Sequence, residues 1–134
     1  MRNYQVLDSA SVQNHILRLR TAENNPEQPW LSMSREGAFL SLSTSFGPLE
    51  IALRLNYDNF TKRLQQLHPV PGLATTRQVG TANSYIALGL TDNQHLVMIP
   101  TIVTDASGRI SFNLLATTPV YRAMLDWLGV KIDP

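Results

Sequence analysis

Apolar and polar residues alternate most regularly between Leu49 and Asn56, where Leu49, Ile51, Leu53 and Leu55 are separated by Glu50, Ala52 and Arg54. A period of two describes a strand with one buried and one wet face. Leu40, Leu42 and Phe46 alternate with Ser41, Ser43 and Ser45 in the same way, which predicts a strand over 38–46. A shorter strand is expected from Trp30 to Ser34, with Arg35-Glu36-Gly37 as a tight connection and Gly47-Pro48 as the next turn.

Three further strands are expected over 84–90, 95–103 and 109–117, joined by Thr91-Asp92-Asn93-Gln94 and by Asp105-Ala106-Ser107-Gly108. The middle one carries Leu96, Val97, Met98, Ile99, Ile102 and Val103 with little alternation, so both of its faces should be covered, by helices or by another subunit. Pro100 falls inside it. Proline donates nothing to a ladder, so a bulge or an edge position is expected there.

A period near 3.6 appears in three places. Val12, Ile16 and Leu19 recur at i, i+4 and i+7 behind Asp8 or Ser9 as a cap, which predicts a helix to about Glu23, broken by Asn24-Asn25-Pro26. Tyr57, Phe60, Leu64 and Leu67 form the stripe of a second helix, capped by Asn56 or Asp58 and stopped at His68-Pro69. Thr118 and Pro119 suit the cap and first turn of a third, over 119–128, and Gly129 suits its C-terminal cap. Tyr121, Met124, Leu125 and Leu128 make its core stripe, while Val120, Ala123 and Trp127 occupy a second one. The expected fold is therefore α+β, a mostly antiparallel sheet of about six strands with three helices in the order α-βββ-α-βββ-α, as a single domain over 1–134.

Composition restrains function more than it reveals it. A net charge of +1 gives no reason to expect nucleic acid as a partner, although nine of the eleven basic residues are arginine. Charged residues make up 16% of the chain, against roughly 25% in an ordinary soluble domain. Surfaces that spend their time against a partner are depleted of charge in this way. The chain contains no cysteine, which fits a reducing compartment, and Met1–Asp8 lacks the charged and apolar segments of a signal peptide. With no apolar run long enough to span a bilayer, membrane insertion is not expected and a cytoplasmic location is.

Candidate chemistry is sparse. His15, His68 and His95 fall at no metal-ligand spacing, and no GxSxG, GxGxxG or GxxxxGK[ST] element occurs, so no catalytic residues, metal or cofactor are expected. Glu50 and Arg54 share one side of a strand and can form a solvated salt bridge or line a polar groove. The polar stretch from His68 to Asn83 reads as one long loop, and its donors (His68, Thr76, Arg77 and Asn83) could hold a small ligand.

These features favour a non-enzymatic protein-binding or assembly module, an accessory, adaptor or chaperone-like subunit that self-associates as a homodimer or holds a protein partner, using a sheet face and the last helix. Its expected interface residues are Trp127, Val120, Ala123, Val97 and Ile99. The alternative is a small-ligand domain or small enzyme with a pocket between the sheet and the loop over 68–83.

Overall fold

The computed structural model describes residues 4–21, 30–46, 48–104 and 108–131. In chain order the strands are β1 (Gln5–Leu7), β2 (Ser9–Gln13), β3 (Ile16–Arg20), β4 (Trp30–Glu36), β5 (Phe39–Phe46) and β6 (Leu49–Asn56), followed by helix α1 (Tyr57–Gln65). Next come β7 (Pro69–Val70), β8 (Arg77–Gly80), β9 (Ser84–Thr91), β10 (Leu96–Thr104), β11 (Gly108–Ser111), β12 (Leu114–Ala116) and helix α2 (Thr118–Leu128).

The strands form two sheets, not one. Strands β2 to β6 make a five-stranded antiparallel meander in sequence order. The seven-stranded sheet runs β1-β12-β10-β9-β7, with β11 also on β10 and β8 also on β9, and two of its pairings, β1 with β12 and β7 with β9, are parallel. The expected single sheet of six strands with three helices is thus replaced, among the described residues, by a sheet-rich fold of two sheets and two helices.

The first expected helix is a β-hairpin. Asn14 and His15 have φ of 54° and 65°, so both central residues of the two-residue turn between β2 and β3 are left-handed, as the favoured hairpin turns require. Asn and His tolerate that region better than most side chains. The i, i+4, i+7 spacing of Val12, Ile16 and Leu19 coincided with a second pattern of period two. Leu17 and Leu19 are buried, whereas Val12 and Ile16 are largely exposed. The break expected at Asn24-Asn25-Pro26, Gly47 of the expected Gly47-Pro48 turn and most of the turn Asp105–Gly108 lie outside the described residues.

Strands β4, β5, β6, β9 and β10 and both helices form where the alternation and caps place them. The Asn56 side chain caps α1 by accepting from the Asn59 amide at 2.9 Å, and Gly129, at φ 73°, ends α2. Thr117, not Thr118, is the N-cap residue of α2. The Thr118 hydroxyl instead lies 3.0 Å from the Gln94 carbonyl and 3.2 Å from His95 Nδ1, fastening the helix to the β9–β10 turn.

Pro100 lies in neither a bulge nor an edge strand. It occupies the middle of β10, with one register holding from Thr101↔Ser111 to Met98↔Leu114. Its carbonyl accepts from the Phe112 amide at 3.2 Å, so its missing N–H points at the same neighbour. There the neighbouring strand is interrupted, and β11 and β12 are separate pieces.

The expected loop over 68–83 contains β7 and β8, which pair in turn with β9. Between them, residues 71–76 cross the outer face of the seven-stranded sheet at Gly89, whose Cα sits against the Ala74 carbonyl. Gly89 is paired with Val97, so this crossing and not a second subunit covers the outer side of β10 beside Val97. Tyr4 lies near the same segment, its hydroxyl 3.4 Å from the Leu73 carbonyl.

A single cluster of buried side chains joins the sheets and helices: Leu19, Met33, Leu42 and Leu53 from one sheet, Ile86, Leu88 and Met98 from the other, and Phe60, Tyr121 and Met124 from the helices. Strand β6 approaches β8, β9 and β10, α1 packs on β6 and β8, and α2 packs on β2 and β3. All of these contacts fall on the inner side of the five-stranded sheet.

Candidate binding face

The outer side of the five-stranded sheet is set by the same alternation that buries its inner side. Arg18 pairs with Ser32 and Arg20 with Trp30 across β3 and β4; Ser32 pairs with Ser43 and Ser34 with Ser41 across β4 and β5; Ser41 pairs with Arg54, Ser43 with Ala52 and Ser45 with Glu50 across β5 and β6. The centre of the face is therefore a block of serine and alanine side chains, too short to break the flatness of the pleat. Arginines stand at both sides. Arg18, Arg20, Glu50, Ala52 and Arg54 on this surface are exposed, and the serines between them are half-buried.

The larger side chains at its rim are held by ring contacts. The Arg18 guanidinium lies 5.6 Å from the Trp30 ring centre, and that of Arg54 lies 4.3 Å from the Phe39 ring centre. Ser43 Oγ donates to Glu50 at 3.0 Å. Glu50 and Arg54 thus engage neutral neighbours on β5 rather than each other, so of the two arrangements expected of them, a solvated salt bridge or the lining of a polar groove, the salt bridge does not form. A small surface hollow lined by Ser11, Gln13, Asn14, Ile16 and Arg18 opens at the β2–β3 corner of the same face.

The interface residues expected from sequence are dispersed. Val97 and Val120 are 0% and 3% exposed within the chain itself, and Ile99 is also buried, so these three present little surface to a partner. Ala123 and Trp127 on α2 are half-buried, and Trp127 packs against the core. The expected ligand residues are strung along β9. His68 directly precedes the Pro69↔Leu90 pair, while the Asn83 carbonyl accepts from Val103 beyond the other end, about 20 Å away at strand rise. Arg77 lies between them, with Nη1 donating to the Thr76 carbonyl at 2.8 Å.

Among the described residues, no group of three or more His, Cys, Asp or Glu side chains is placed to hold a metal ion, and no helix is long and apolar enough to cross a membrane. A serine paired directly with a solvated carboxylate, as Ser43 is with Glu50, lacks the imidazole that takes the proton in a Ser-His-Asp arrangement. The polar groups on the face are hydroxyls, guanidinium groups and the Glu50 carboxylate.

The serine alternation of β5 was legible as a wet face. That it belongs to a broad, uncovered sheet was not, because one strand's pattern is silent about its neighbours. Comparison of the chain with family models, with curated proteins and with solved structures finds no match.

Proposed function

We propose that the chain is a non-enzymatic protein-binding and assembly module whose binding surface is the outer face of the five-stranded sheet. The observation that carries this reading is the one-sided core of that sheet: its inner side chains cluster with residues of both helices and the second sheet, whereas Arg18, Arg20, Glu50, Ala52 and Arg54 on the other side are exposed. A flat serine and alanine centre gives a partner's backbone close approach. Trp30, Phe39 and the arginines at the rim are of the residue types enriched in protein interfaces. The low overall charge, 16% of residues, reduces what an approaching partner must desolvate.

Photo-crosslinking in cells tests this. A photoreactive side chain at Ser32 or Ser43 should yield discrete protein adducts, and the same group at Leu73, exposed on the opposite side of the molecule, should not. Adducts of twice the chain mass identify a second copy, and other masses identify a different partner. Absence of adducts from both face positions, or identical adducts from Leu73, contradicts the assignment.

A further inference from the structure

The five-stranded sheet ends in an unusually bare edge. Strand β6 is eight residues long, regularly paired with β5 from Phe46↔Leu49 to Phe39↔Asn56, and contains no proline, lysine or bulge. Natural edges of this length are normally blunted by such features or by charged side chains, because unpaired backbone groups recruit other strands, and the two charges of β6, Glu50 and Arg54, are of opposite sign. The other edge strands among the described residues are shorter: β7 has two residues, β1 three, β8 and β11 four each, and β2 five.

The polarity of the edge follows from one hydrogen bond. The Tyr57 amide donates to the Ala38 carbonyl at 2.9 Å, continuing the β5–β6 register, so odd-numbered residues of β6 direct their backbone groups toward β5. Glu50, Ala52 and Arg54 therefore direct theirs outward, and among the described residues no other backbone group is bonded to them.

We infer that β6 pairs antiparallel with β6 of a second copy about a two-fold axis at Ala52, joining the two five-stranded sheets into one. This rests on the assembly reading above and names the partner. Only registers that set an even residue against an even residue match the outward groups, and these separate by charge. Pairing Glu50 with Glu50, or Arg54 with Arg54, opposes like charges, and centring on Ile51 or Leu53 leaves both charges opposite uncharged residues. Centring on Ala52 sets Glu50 opposite Arg54 of the second copy and Arg54 opposite its Glu50. The same register aligns Ile51 with Leu53 and brings Leu49, 47% exposed, beside Leu55 of the second copy. About six backbone hydrogen bonds form across the axis. The charge pattern of β6 is thus complementary to its own reverse, and among the described residues neither charge is spent on an ion pair.

Two sets of variants test the register. In an antiparallel hydrogen-bonded pair the Cα atoms are about 5.5 Å apart, within disulfide range. The chain has no cysteine, so Ala52→Cys supplies its sole thiol and should form covalent dimers under mild oxidation, whereas Ser32→Cys, remote from the axis, should not. Glu50→Arg or Arg54→Glu alone should weaken the dimer about tenfold, since each turns two opposite-charge pairs into like-charge pairs. The double variant E50R/R54E should restore it, and mixing the two single variants should give a heterodimer. A wild type that remains monomeric at high micromolar concentration overturns the proposal, leaving other partners for the sheet face. A wild type that dimerises while Ala52→Cys crosslinks no faster than Ser32→Cys, with no rescue in the double variant, overturns the β6 geometry alone and leaves self-association standing.

Discussion

The Cα of Gly89 lies directly against the carbonyl oxygen of Ala74, leaving no room for a side chain between β9 and the segment that crosses it. Neighbouring bonds fix this approach: the Thr76 amide donates to Leu88 at 2.8 Å, and β7 and β8 anchor the segment at both ends. Gly89→Ala should therefore push residues 71–76 off the sheet and uncover Val97. A loss of about 1–3 kcal/mol in denaturant melts is expected, the usual cost of overpacking. An unchanged midpoint would show that the segment is not a fixed cover.

The hairpin at Asn14-His15 gives a prediction whose sign separates two folds. His15 adopts φ 65° with an exposed side chain, so His15→Gly removes a strained conformation and should raise stability by about 1 kcal/mol. In the helix that the i, i+4, i+7 spacing suggested, the same substitution would lower stability by about as much. Thermal melts of the single variant decide.

Much of the fold was written plainly in the chain. Strands β5 and β6 alternate over their whole length, and the Asn56 and Gly129 caps bound the helices. What escaped were features set by non-local pairing. Val12, Ile16 and Leu19 fit helix and strand templates at once, and only the turn conformation at Asn14 decides between them. The parallel pairings of β1 and β7 involve strands of three and two residues, too short for any periodicity. The candidate face suffered likewise: Ser41, Ser43 and Ser45 marked a wet side, but the edge position of β6 is a property of sheet order. Val97, Ile99 and Val120 looked like surplus apolar surface only because the crossing at Gly89 and the packing of α2 could not be foreseen.

Tyr121 supplies a pH-dependent test of the core. Its ring is buried on α2, its hydroxyl has no hydrogen-bond partner among the described residues, and burial pushes its pKa up from 10.0 to about 12. The folded state thus holds this proton more tightly than the unfolded chain. Its contribution to stability is fully present below pH 10 and is lost as pH rises from 10 toward 12, at up to about 1.4 kcal/mol per pH unit. Tyr121→Phe should remove this component from the wild-type profile and, since no hydrogen bond is lost, should leave neutral-pH stability unchanged or up to about 1 kcal/mol higher. Guanidinium melts of both proteins across pH 8–11.5 measure the difference.

Trp127 distinguishes packing from docking on α2. It is half-buried against the core, so Trp127→Ala should cost about 2 kcal/mol of folding stability, less than the roughly 3–5 kcal/mol of a fully buried ring. Its mass in solution should match that of the wild type at equal concentration. A variant of unchanged stability and halved mass would move the interface from the five-stranded sheet to α2.

The most direct measurement of the assembly edge is site-resolved amide hydrogen exchange at low and at high protein concentration. The amides of Ile51, Leu53 and Leu55 face β5 and should be protected throughout. Those of Glu50, Ala52 and Arg54 face outward, and they should exchange rapidly when dilute and become protected, with Ala52 at the centre, as concentration rises. Equally fast exchange at Ala52 under both conditions would contradict assembly through β6.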